Sequence, residues 1–176
     1  MGGFSQFPGM SRPDSQIDEW RPNGEFKVRG CAQPIFKLHG SINWRDSDGS
    51  NLLVMGANKN TSMRGKDVLN WYLDSFRYYL SAPKTRFMVI GYSFMDDHIN
   101  DEIIAAQPKG LTTFLVDPAG RDALRDKRLT GAVIRPWREI EHIKLLGIST
   151  RGLSSTFGND ALEHGKFEDF FGSSEG

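Results

Sequence analysis

Hydrophobic positions along this chain change their period several times, and each change marks an expected element. From Met1 to about Gly30 no period holds, and Pro8, Pro13, Pro22 and several glycines break up the stretch. Residues 1–33 therefore read as an irregular arm or insertion. Ile35 to Leu38 is a short apolar run, expected as a strand that ends at His39. Asp46-Ser47-Asp48-Gly49-Ser50-Asn51 is a cluster of turn formers containing Asp-Gly, a hairpin signal. Leu52 to Met55 is the next strand candidate. From Lys66 to Leu80 the period becomes helical, with Leu69, Tyr72, Leu73, Phe76 and Leu80 on one face. Pro83 stops that helix.

Phe87 to Ile90 is a continuous apolar run, of the kind covered on both faces in a parallel sheet. Asp96 or Asp97 is the expected N-cap of a helix reaching about Ala106, with Ile99, Ile103 and Ile104 inward. Thr112 to Val116 is a further strand, closing on Asp117-Pro118. A helix from about Gly120 to Lys127 and a last strand at Ala132–Ile134 follow, and Ile140 to Leu146 is ambiguous. Asp160 to Phe171 reads as a terminal helix despite Gly165. Strands alternating with helices at this spacing imply parallel βαβ units with right-handed crossovers. The expected class is α/β, a doubly wound parallel sheet over residues 34–146. Residues 147–176 are expected to form a C-terminal extension.

Composition narrows the picture. At 176 residues the chain is the size of one ordinary domain, and such a chain buries roughly 70% of its unfolded surface. Lys plus Arg and Asp plus Glu both number 22, so there is no bulk charge to grip nucleic acid or an anionic membrane. Cys31 is the single cysteine, which excludes an internal disulfide and a Cys-x-x-Cys zinc site. No signal-peptide pattern opens the sequence, and no apolar run approaches the ~20 residues of a membrane span. The default location is the cytoplasm.

In open parallel sheets ligands sit outside the carboxyl ends of the strands. Three strand ends carry candidate chemistry. At Leu38-His39-Gly40-Ser41, an imidazole that titrates near ~6.5 suits a general base, and a hydrogen-bonded structural histidine is the alternative. At Ile90-Gly91-Tyr92-Ser93, glycine lets backbone approach a ligand, Ser93 offers a hydroxyl, and the following helix start suits phosphate. A plain glycine turn before a capped helix is the alternative there. At Val116-Asp117-Pro118, the carboxylate suits ribose hydroxyls, and an Asp-Pro turn is the alternative. His98 beside Asp97 fits a helix-start role, and the four histidines form no compact metal-ligand pattern.

Lys37-Leu38-His39-Gly40-Ser41-Ile42-Asn43-Trp44, together with Gly91-Tyr92-Ser93-Phe94 and Asp96 to Asn100, resembles the later half of the sirtuin-like domain of prokaryotic NAD-consuming proteins, many of them anti-phage defence effectors. The resemblance runs from about Pro34 to Leu124. It implies a Rossmann-like sheet lacking the first strands of the full domain. It also implies NAD as substrate, no metal, and hydrolysis to nicotinamide and ADP-ribose. By it, His39 is the catalytic base, Gly40, Ser41, Gly91, Tyr92 and Ser93 line the nucleotide site, and Asp117 meets the adenosine ribose. The family's Gly-Ala-Gly loop, Thr-x-Asn motif and zinc-ribbon cysteines do not occur here. The missing cysteines favour NAD hydrolysis over protein deacylation. A non-catalytic NAD or ADP-ribose sensor, or an assembly module, is the rival expectation. Expected partners are the dinucleotide itself, further copies of the chain, or a defence-system protein.

Overall fold

A computed structural model describes residues 19, 21–22, 26–28, 33–55, 65–124 and 143–172. The strand expected at Ala132–Ile134, like Cys31 and His142, lies outside the described residues. The chain divides into two compact units, Met1–Phe76 and Arg77–Gly176.

The first unit is a hairpin packed on a helix. Strand β1 (Gly40–Arg45) pairs antiparallel with β2 (Asn51–Leu53). The turn between them is built by its own polar atoms. Asp46 N–H donates to Ser50 O at 2.8 Å, Gly49 N–H donates to Asp46 O at 3.0 Å, and Ser50 N–H donates to the Asp48 carboxylate at 2.8 Å. Gly49 adopts φ +82°, which the Asp-Gly signal anticipates. Helix α1 (Asp67–Leu80), of which Asp67 to Phe76 belongs to this unit, begins one residue later than its apolar stripe predicts. Its inner positions Val68, Leu69 and Tyr72 meet Trp44, Leu52 and Val54 in one buried cluster, with Phe36, Leu38, Trp71 and Leu73 around it. Trp44 is fully buried, whereas Ile42, two residues earlier on β1, is 68% exposed.

Two expectations are corrected here. The apolar run Ile35–Leu38 is not a strand; the strand starts at Gly40. Phe36 and Leu38 instead pack against the α1 cluster, and Gly40 N–H donates back to Lys37 O at 2.9 Å, closing a turn. The strands flanking the Asp-Gly turn also belong to an antiparallel pair of their own, not to the parallel sheet.

The second unit holds β3 (Arg86–Ile90), α2 (Asp97–Ala106), β4 (Thr112–Val116), β5 (Leu145–Ser149) and α3 (Ala161–Gly172). The three strands form one parallel sheet in the order β3-β4-β5. The strand covered on both faces is central β4, where Thr113, Phe114, Leu115 and Val116 are all buried. β3, expected to be the doubly covered one, is buried only at Val89, half-buried over Arg86–Met88 and exposed at Ile90, and it has one described neighbour. On one face Phe114 and Val116 pack with Phe170, and Met88, Phe157 and Phe167 complete that cluster. Asp160 starts α3 by accepting the N–H groups of Leu162 and Glu163 at 3.1 and 3.2 Å. The expected boundary at 146/147 falls inside β5, so the terminal segment supplies part of the sheet and the helix that covers it. Within β5, Gly147 stands opposite Phe114, and a Cβ there would lie 2.5 Å from the ring's Cε2. The mixture of helices with a three-stranded parallel sheet is compatible with an α/β fold.

Candidate functional site

All three strands of the sheet run the same way, so the loops after β3, β4 and β5 leave one common edge. Backbone hydrogen bonds stitch these loops side by side. Gly91 N–H donates to Val116 O at 3.3 Å, and Asp117 N–H donates to Ser149 O at 3.0 Å. Gly91 and Asp117, two of the residues expected to touch a ligand, are thereby neighbours at the carboxyl edge.

The loop from Gly91 to Asp96 has an unusual backbone. Gly91 adopts φ +59°, and Phe94, which is not glycine, adopts φ +54°. A Cβ at Gly91 would meet nothing within 4 Å, so the space in front of it is open. Ser93 is exposed beside it. Gly91 spends its N–H on the neighbouring strand, but the next four N–H groups, Tyr92 to Met95, enter no backbone hydrogen bond among the described residues. Successive uncommitted N–H groups at turns of this kind form concavities that suit anions.

Left-handed conformation at a bulky residue costs on the order of 1–3 kcal/mol and needs outside support. Asn100, on the first turn and a half of α2 and 1% exposed, supplies it. Its Nδ2 donates to Phe94 O at 2.9 Å, and its Oδ1 accepts from the Tyr92 hydroxyl at 3.0 Å. The same hydroxyl lies 3.1 Å from Asp96 O. The Tyr92 and Phe94 rings meet at 4.8 Å between centroids. Burial, helped by the negative charges of Asp96 and Asp97, pushes the Tyr92 phenol well above its ordinary value, so it stays a donor. Asn100 carried no expected role. Besides closing the Asp96-to-Asn100 motif segment, it is marked in the sequence as a polar side chain three residues before Ile103 on the buried stripe of α2, where His98, Asn100, Ile103 and Ala106 are buried and Ile99 and Ile104 only half so.

At the start of α2, Asp96 takes the N-cap position with extended backbone, yet its carboxylate makes no capping hydrogen bond. At the end of β4, the Asp117 carboxylate accepts Ala119 N–H at 2.7 Å, and Gly120 N–H donates to Asp117 O at 2.8 Å. The Asp-Pro turn is therefore present, leading into a short 3₁₀ turn at Gly120–Leu124. At the end of β5 begins a polar cluster, buried at Ser149, Thr156 and Glu163 and open to solvent at Lys166. Ser149 and Thr156 share a hydrogen bond of 2.7 Å, and Lys166 Nζ donates to Glu163 Oε1 at 2.7 Å. That ammonium, with the Ser149 hydroxyl adding to it, holds the Glu163 carboxyl below its ordinary value.

His39, Gly40 and Ser41 belong to the first unit. His39 is half-buried in the turn that enters β1, and its carbonyl accepts Val54 N–H at 2.9 Å. It stands at the amino end of a hairpin strand, not at the carboxyl end of a parallel one. Gly40 has φ +76°, and a Cβ there would overlap the Leu52 carbonyl oxygen. The hairpin alone thus accounts for glycine at this position. The Ser41 hydroxyl accepts from Lys37 Nζ at 3.3 Å, and that ammonium lies 5.5 Å above the Trp44 ring.

Among the described residues, no group of three or more His, Cys, Asp or Glu side chains is arranged to hold a metal ion. None of the described helices is long and apolar enough to cross a membrane. No family model, curated protein or solved structure matches the chain. The sirtuin-like resemblance rests on the two motifs themselves.

Proposed function

We propose that this chain handles NAD at the carboxyl edge of its parallel sheet and hydrolyses it to nicotinamide and ADP-ribose, as a Rossmann-like, sirtuin-like domain of a prokaryotic defence protein. The observation that carries the reading is the loop after β3. It combines an open space at Gly91, an exposed Ser93 hydroxyl and consecutive N–H groups that no other backbone among the described residues uses, next to Asp117 just after the adjoining strand. A dinucleotide has a matching sequence of groups. Its diphosphate suits the N–H groups, and its ribose hydroxyls suit a carboxylate.

His39 enters the proposal through the motif it shares with the family. The nicotinamide–ribose bond breaks with the electron pair leaving on nicotinamide nitrogen, and a sugar cation forms. Water adds to that carbon, and the imidazole takes up the proton the water loses. A positioned base of this kind contributes about 10²–10⁴-fold.

The test has two arms. Nicotinamide release from NAD is followed for wild type and His39→Ala, and titration calorimetry is run with NAD and with ADP-ribose. Release that falls by at least about 100-fold in His39→Ala supports the assignment. Equal rates remove His39 from the mechanism. Binding of both ligands without release makes the chain a nucleotide sensor, and heat from neither ligand overturns the nucleotide reading.

A further inference from the structure

We infer that Asn100 and the Tyr92 hydroxyl are positioning residues that hold the Gly91–Met95 loop in its ligand-ready shape; this rests on the proposed NAD site, which it deepens. The shape is not one the loop's own residues favour. Phe94 sits at φ +54°, a region that bulky side chains avoid. Its carbonyl is oriented by the Asn100 amide at 2.9 Å, and the other end of that amide grips the Tyr92 hydroxyl at 3.0 Å. One buried side chain therefore clasps the loop at two points, on either side of Ser93. Asn100 is fixed in turn by its place on α2, where its own N–H donates to Asp96 O at 3.0 Å.

Both contacts are made within the protein, the Tyr92 hydroxyl to Asn100 and the Asn100 amide to Phe94 O, so they act on a ligand through the shape of the loop, whatever the Tyr92 ring meets at the nucleotide site. The clasp sets the directions of the Ser93 hydroxyl and the N–H groups beside it. Without it, Phe94 relaxes toward ordinary negative φ and the N–H groups diverge. Apparent affinity then falls by the fraction of molecules that keep the competent loop.

Tyr92→Phe and Asn100→Ala test this, each alone and both together. Three readouts are taken: thermal unfolding, hydrogen exchange of the Tyr92–Met95 amides without ligand, and calorimetric affinity for NAD. Tyr92→Phe keeps the ring packing on Phe94 and removes only the hydroxyl bonds, so it carries the test if Asn100→Ala does not fold. The expected result is faster exchange at these amides and NAD binding weaker by about tenfold, the loss when one molecule in ten keeps the loop. The double variant should lose little more than the worse single one, because both act on one loop. Folded variants with wild-type exchange and wild-type NAD affinity would overturn the clasp. If wild type itself binds no NAD, the proposed function fails, and amide exchange alone decides the clasp.

Discussion

Replacing Gly40 by alanine should split the hairpin of the first unit, and the size of the effect can be worked from two contributions. The first is conformational. Gly40 has φ +76°, where an L-residue pays about 1–2 kcal/mol. The second is steric. The new Cβ would overlap Leu52 O and lie 2.8 Å from the carbonyl carbon. Backbone atoms in a ladder cannot rotate away, so the strands must part. The Val54 N–H bond to His39 O and the pairing of Gly40 with Leu53 go with them. At about 1 kcal/mol for each of these two losses, the total reaches about 3–4 kcal/mol. Gly49→Ala is the control, since it shares a left-handed φ of +82° but would meet nothing within 4 Å. It should cost about 1–2 kcal/mol. Urea unfolding followed by far-UV circular dichroism, with hydrogen exchange at the Val54 amide, measures both. Equal midpoints for the two variants, or unchanged protection at Val54, would falsify the steric account.

Gly147→Ala should force the buried Phe114 ring from its place against Phe170, whose centroid is 5.4 Å away, and lower stability by about 1–3 kcal/mol in a thermal melt; an unchanged Tm would mean that the ring has room to move. Acid should also weaken the hairpin turn. The Lys66 ammonium at 2.8 Å, and then the Ser47 N–H, hold the Asp46 carboxyl below its ordinary 3.8. A depressed folded value gives stability that is fully present above the unfolded value and disappears as pH falls through the folded one. Unfolding midpoints from about pH 5 to about pH 2 should fall less steeply in Lys66→Met than in wild type, and parallel curves would remove the ion pair from the acid response.

The elements that the sequence announces are those whose side chains repeat on one face. α1 is legible from Leu69, Tyr72 and Leu80, all buried, and β4 from its unbroken run Thr112–Val116. What stayed hidden depends on partners far along the chain. Phe36 and Leu38 look like alternate residues of a strand, but α1 takes both, and the ladder begins only where Gly40 can approach Leu52. β5 is obscured by Gly147, which reads as a breaker until the Phe114 ring is set against it. At the candidate site, Gly91 and Asp117 were readable as strand ends, and the sheet makes them neighbours. Asn100 was not, because it answers to a backbone carbonyl and a hydroxyl, which leave no trace in a hydrophobic pattern.

The way α3 lies on the sheet decides how this chain can be trimmed. Phe170, with Phe167 beside it, shields Phe114 and Val116 of the central strand. A shortened version ending before Ala161 would leave that oily surface wet, and would be expected to clump during expression whatever became of its ligand site. Any cut made to isolate the loop edge for study belongs after Gly172, with solubility as the first thing to check.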